Sequence, residues 1–227
     1  MDEPNDNQRK ALRWEDHIVP ILEHPDIHIR NKALVAVAWE SCARASELHQ
    51  LCYGDIEDLG DCMTILITGP KDHDRKLTLY GSMPYLKKWV QEEHPVAEAL
   101  TVDADPLEEA DPSTPLWIEK PGDRQFLSLQ VLTIPGEICK QAGVTRNVTL
   151  HDIRRSRAKL LASKHGLDPS ILRARLGLRE NECIDLAEPV EDEGLDEDIK
   201  PSAPIRCPDC GAWAPQYQPC LWCGANR

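Results

Sequence analysis

The 227-residue sequence predicts a mainly α-helical domain with a small antiparallel β-hairpin or sheet, α+β in class, followed by a small cysteine-rich module. Three observations predict it. Apolar residues recur at helical spacing through much of the first 182 residues, as in "IRNKALVAVAWESCA", where Ala33, Val37 and Ser41 fall at i, i+4 and i+8 with Leu34 and Ala38 beside them. Two short runs of strand composition, "CMTILIT" (62–68) and "RKLTLY" (75–80), flank the turn residues "GPKDHD". Four of the nine cysteines crowd into the last 21 residues as two close pairs.

In chain order, "RWEDHIVPILEH" reads as a short amphipathic helix, and the helix after it is apolar enough to be central to the core. "ASELHQLCYGDI" starts another, with Ser46 placed as a cap. After the hairpin, "MPYLKKWVQEEH" is helical. The acidic, proline-punctuated residues 101–115 form a surface loop, and "PLWI" a short strand. "SLQVLTIPGEICKQAG" is helical in pattern, but Pro135 makes it start late or kink. "TLHD" fits a capping box with Thr149 as N-cap and Asp152 three residues on, opening a helix to about Lys164 that Gly166 ends. Asp168 and Pro169 open the next helix and Gly177 stops it. This gives a domain over 1–182, an acidic flexible linker over 183–204 with a net charge of −7 across 183–200, and the cysteine module over 205–227.

Net charge is −13, Arg outnumbers Lys and there is one Phe. An acidic, Lys-poor surface stays hydrated in concentrated salt, which points to a halophilic source. The polar N-terminus is unlike a signal peptide and no apolar run reaches membrane-spanning length, so a soluble cytoplasmic protein with no membrane partner is expected. Cys42, Cys52, Cys62, Cys139 and Cys183 are scattered singly and do not read as a disulfide framework.

"CPDCGAWAPQYQPCLWCG" places Cys207 and Cys210, then Cys220 and Cys223, as two C-x2-C knuckles nine residues apart. Four thiolates suit one closed tetrahedral zinc site, and the glycines after Cys210 and Cys223 let the chain turn about the metal. So short a module has no core of its own, so the metal supplies its folding energy, and four sulfurs leave no open position for catalysis. A structural zinc ribbon is expected, serving contact with DNA or with protein.

Overall acidity argues against a nucleic-acid partner, but local charge reverses the argument. Residues 142–182 hold nine basic and four acidic side chains, a net of +5. Within them "HDIRRSR" sets His151 and Arg154 at i and i+3 on the first turn of a helix, where free backbone N–H groups also favour an anion. Such a stretch is either a phosphate site or a solvated basic face.

Three motifs in order resolve the choice. "CARASEL" places Arg44 at a helix-to-helix junction, "GPKDHDRKLTL" presents Lys71 on the hairpin turn, and "HDIRR" presents His151 and Arg154. Together they resemble the tyrosine recombinase (phage integrase) family over roughly residues 11–180. The resemblance implies a catalytic-domain fold acting on double-stranded DNA. Arg44 and Arg154 would grip the scissile phosphate, Lys71 would protonate the leaving 5′ oxygen, His151 would hold or deprotonate around the phosphate, and Ser46 and Glu47 would support Arg44. Arg155, Arg157, Arg173 and Arg175 would form the DNA-binding surround.

The pattern breaks at two points. Leu178 follows Gly177 where the family has His or Trp, and "LRENECIDLAEPVEDEG" holds no tyrosine where the nucleophile belongs. Tyr53, Tyr80 and Tyr85 precede the helix of His151, Tyr217 lies between the knuckles, and Cys183 is the nucleophile type nearest the right place. The expectation is a DNA-binding protein that does not cleave alone and has an accessory or regulatory role in integration, recombination or transcription. Its ribbon would meet another recombinase or a transcription protein. The alternatives are an active recombinase using Tyr217 or a nucleophile in trans, and a helix-turn-helix reader joined to a zinc-ribbon interaction module.

Overall fold

The computed structural model describes residues 11–69, 74–101, 104–118, 128–146, 148–163, 169–178, 204–214, 220–221 and 223–225. Lys71, Lys164, Gly166, Asp168, Cys183, Tyr217 and nearly all of the acidic stretch lie outside them.

α2 (Ile29–Ser41) is the organising helix. Residues Ala33 to Trp39 are all buried, because a helix apolar on every side can only sit inside. α1 (Val19–Glu23), a preceding wide turn over Trp14–Ile18, and the later helices pack around it. α2 ends at Cys42, which adopts φ 54°, ψ 28°; among the described residues it is the one non-glycine with positive φ. That left-handed residue turns the chain sharply into α3 (Ala45–Gln50).

The hairpin is present as β2 (Met63–Ile67) and β3 (Arg75–Leu79), in register from Met63 opposite Leu79 to Ile67 opposite Arg75. A third strand, β1 (Ile56–Asp58), pairs antiparallel with β2 and gives the sheet order β1-β2-β3. The sequence reading carried the helix of "ASELHQLCYGDI" as far as Ile56 and assigned no strand here; three residues of mixed polarity carry too little periodicity to announce one. α4 (Met83–Lys88) leaves the sheet and is tied to β1 by Lys87 Nζ on Asp58 Oδ2 at 2.6 Å. Short helices α5 (Pro95–Ala99) and α6 (Pro106–Glu109) follow.

"PLWI" is not a strand. It makes one isolated bridge, Cys52 with Pro115, and Leu116 N–H donates to Leu51 O at 2.9 Å. The buried rings set its path: Trp89 Nε1 donates to Leu116 O and Trp117 Nε1 to Leu48 O. α7 (Ser128–Gln141) runs through Pro135 without starting late. α8 (Leu150–Ser163) opens on the expected reciprocal cap, Thr149 N–H to Asp152 Oδ2 at 3.0 Å and Asp152 N–H to Thr149 Oγ1 at 3.1 Å. α9 (Pro169–Leu176) ends at Gly177, φ 58°. β4 (Ile205–Arg206) and β5 (Trp213–Ala214) form a separate two-stranded sheet. The architecture is mainly helical with small antiparallel sheets, as predicted. Among the described residues no helix is long and apolar enough to cross a membrane.

Candidate functional site

The left-handed turn at Cys42 delivers Arg44 to the mouth of α3 in extended geometry. Arg44, not Ser46, is the N-cap; Ser46 lies inside the helix. The capping acceptor is Glu47, whose Oε2 takes the Arg44 backbone N–H at 2.6 Å while its Oε1 takes Arg44 Nη1 at 3.1 Å. Glu47 is only 4% exposed and is met from the other side by Arg75, whose Nη1 and Nη2 donate to its two oxygens at 3.1 and 2.7 Å. Burial alone would raise the Glu47 carboxyl. The hydrogen bonds from Arg75 and from the Arg44 backbone outweigh it and hold the group below the usual carboxylate range.

Three arginines then meet the end of α9. Arg75 Nε donates to Arg175 O at 2.9 Å, Arg154 Nη2 to Leu176 O at 2.8 Å, and Arg44 Nη1 to Gly177 O at 3.1 Å. The carbonyls at a helix C-terminus lack intrahelical partners and carry its negative dipole end, so three successive ones make a template for guanidiniums. Arg154 is 6% exposed and its Nη1 also donates to Cys42 O, so one side chain joins the α2 turn to the α9 turn. Burial first, and the nearby Arg44 charge second, pull the Arg154 guanidinium down to about 10, which leaves it charged at neutral pH. Arg44 keeps 31% of its side chain exposed. Thus Arg44 and Arg154, predicted from separate motifs, are fixed on adjacent carbonyls, each by part of a five-donor fork.

Gly177 is integral to this arrangement. A Cβ there would stand 2.7 Å from Arg75 Nη1, on a residue already at positive φ. Arg75 cannot swing away without breaking its bonds to Glu47 and Arg175 O. Gly177→Ala is expected to lower the unfolding midpoint by several degrees, read by thermal denaturation beside an Ala174→Gly control on the same helix.

The other predicted residues are distributed differently. His151 is exposed on the first turn of α8, one turn before Arg154, and its ring hydrogen-bonds none of these arginines. Arg173 is exposed and Arg155 partly so. Arg157 and Arg175 are not the exposed surround that was expected. Arg157 is 6% exposed, its Cζ 5.8 Å from the Trp39 ring centroid, and Arg175 turns inward, Nη2 donating to Glu40 O at 2.6 Å. The signal was in the sequence: Ile153, Arg157 and Leu160 share one stripe at i, i+4 and i+7. Arg75 was missed altogether, because a charge opening a strand reads as ordinary edge chemistry.

No described tyrosine reaches the arginines. Tyr53 is buried, its hydroxyl donating to Val90 O at 2.8 Å, and Tyr85 is buried. Tyr80 lies just beyond β3, five residues or roughly 16 Å of strand from Arg75.

The cysteine module is built from two matching turns. Gly211 N–H donates to Cys207 O and Gly224 N–H to Cys220 O, both at 2.9 Å, and the two glycines have φ 74° and 71°. Cys207 N–H bonds Ala212 O, as Cys220 N–H bonds Ala225 O. The four sulfurs lie within 4.8 Å of one another, Cys207 to Cys223 at 3.7 Å and Cys210 to Cys220 at 3.6 Å. A tetrahedron with metal–sulfur bonds of about 2.3 Å has edges of about 3.8 Å, so the set fits zinc. Trp213 and Leu221 pack on the main core, and β5 contacts α4. Arg206 stacks on Trp213 at 4.2 Å and approaches Asp61 at 3.7 Å. Asp61 is in the β1–β2 turn, at the end of the sheet where β2 begins.

The phage integrase family profile matches residues 14–184, three quarters of the chain. The chain belongs to the phage integrase family. Among solved structures this integrase-family chain is similar to the XerA recombinase, with TM-score 0.57, 19% identity, and coverage of 78% of this chain and 57% of that one. The Tn1549 transposon integrase in complex with a circular intermediate DNA gives TM-score 0.56 at 14% identity, over 78% and 60% of the two chains. The XerH site-specific recombinase bound to its palindromic difH substrate gives 0.53 at 24%, over 74% and 46%. The integrase-family chain therefore spans about half the length of these relatives. No curated protein matches it significantly.

Proposed function

We propose that this integrase-family chain binds double-stranded DNA by its phosphate backbone and does not cut it unaided, acting as an accessory or regulatory factor in integration, recombination or transcription. One observation carries the reading: Arg44 and Arg154, from distant parts of the chain, are held side by side on the α9 carbonyls with no described tyrosine within reach. Preorganised guanidiniums grip a phosphate without paying again to order their side chains. The XerH and Tn1549 relatives, captured with their own DNA, lend support. Lys71 and His151 complete the grip in this reading, and Arg155 and Arg173 add contacts to neighbouring phosphates. The absence of a tyrosine between Gly177 and the acidic stretch argues against strand cleavage.

The test is a duplex carrying a nicked, suicide-type site. Salt-sensitive binding without covalent protein–DNA adduct is expected; an adduct lost on Tyr217→Phe would establish the active alternative. Binding unaffected by substitution of Arg44 would instead favour a helix-turn-helix reader.

In the same reading Cys207, Cys210, Cys220 and Cys223 hold one structural zinc ion, and the ribbon, lying against α4 and the β1–β2 turn, serves a protein partner. Chelation is expected to release about one zinc per chain, to expose Trp213 to solvent and to lower stability, while leaving DNA affinity within about twofold. Fluorescence, metal analysis and binding in the same buffer check this.

A further inference from the structure

Five arginines, Arg44, Arg75, Arg154, Arg157 and Arg175, gather where the end of α2, the start of β3, α8 and α9 meet. Two carboxylates lie among them, and both are fully used. Glu47 takes four hydrogen bonds from Arg44 and Arg75. Glu40 takes the N–H groups of Tyr80, Gly81 and Ser82 at 2.8, 3.2 and 2.8 Å and the Ser82 hydroxyl at 2.6 Å. Four bonds fill a carboxylate, so neither has capacity for Arg157.

Two of the three Arg157 guanidinium nitrogens are left without an acceptor. The residue is 94% buried, and its Nε and Nη1 have no hydrogen-bond partner. Two further buried donors nearby share that condition: Arg175 Nε, and Nε1 of Trp39, the ring beneath Arg157. Cys42 sits among Arg154, Arg157 and Arg175, but burial pushes its thiol up, so it stays neutral and supplies no counter-charge. A buried guanidinium whose Nε and Nη1 lack acceptors, and on which Glu40 acts only at a distance, is destabilising, and a cluster of orphaned donors marks a missing anion or water.

We propose that a single small monovalent anion, chloride in class, binds among Arg157, Arg175 and Trp39. A small singly charged ion loses far less hydration than a multivalent oxyanion, and it accepts several N–H donors at once. The ion relieves repulsion among Arg154, Arg157 and Arg175 and so supports the grip from behind. The site stands independently of the DNA-binding reading.

The test is thermal unfolding of the zinc-loaded full chain as sodium chloride replaces sodium gluconate at constant ionic strength. The midpoint is expected to rise by about 5–10 °C once chloride exceeds its dissociation constant a hundredfold. Arg157→Met should abolish that dependence while keeping the packing on Trp39. If the variant does not fold, bromide soaked into wild-type crystals should give an anomalous peak beside Arg157. Equal midpoints in chloride and gluconate, dependence undiminished in Arg157→Met, or bromide density only elsewhere would each overturn the proposal, with water as the partner instead.

Discussion

Glu47→Ala is expected to cost about 3–5 kcal/mol, because it strips the shared counter-ion from two arginines and leaves Arg75, with 8% of its side chain exposed, as an uncompensated buried charge. For a chain of this size that lowers the unfolding midpoint by about 10 °C. Glu47→Gln separates charge from shape: it fills the same space and keeps one acceptor oxygen, but carries no charge to pair with either guanidinium. The pH dependence follows from the depressed carboxyl. A group held below its unfolded value of about 4.3 contributes stability that is fully present above that value and lost as pH falls through the lower folded pKa. The wild type should therefore lose its advantage over Glu47→Gln as pH drops below about 4. Taking the difference between the two proteins cancels the other acidic residues of a carboxylate-rich chain. A gap that stays constant down to pH 2 would show that Glu47 acts through packing alone.

The same cluster shows which parts of this molecule could be read from its sequence. α2, the hairpin, the Thr149–Asp152 cap and the cysteine knuckles were legible because each follows from local periodicity or fixed spacing. Arg44 and Arg154 were legible only through motif order, since nothing local says that residues 110 apart share one helix end. Arg157 was misread because an arginine in a basic run looks solvated, although its stripe is apolar. Arg75 and the α9 carbonyls were not legible at all. A backbone carbonyl acting as a template has no sequence signature beyond Gly177, and that glycine already had an adequate explanation as a helix stop.

Arg44→Ala is expected to weaken duplex binding about tenfold to a hundredfold, uniformly across DNA sequences, and to reduce the slope of log affinity against log salt by about one. Its side chain is partly exposed, so its loss should leave the fold intact, and circular dichroism checks that. Arg154 needs a gentler substitution, because alanine would strip the Cys42 and Leu176 carbonyls of their donor. Arg154→Lys keeps the charge but replaces a planar fork bridging two carbonyls with a single ammonium. It should bind DNA more weakly than the wild type with nearly the wild-type salt slope, since the charge count is unchanged. The contrast is diagnostic. If Arg44 and Arg154 form one grip, the double variant should lose less than the sum of the single losses, because the first substitution already displaces the phosphate. Strict additivity would place the arginines on separate phosphates. An unchanged affinity in Arg44→Ala beside a large loss in Arg173→Ala would move the DNA to the exposed face of α9.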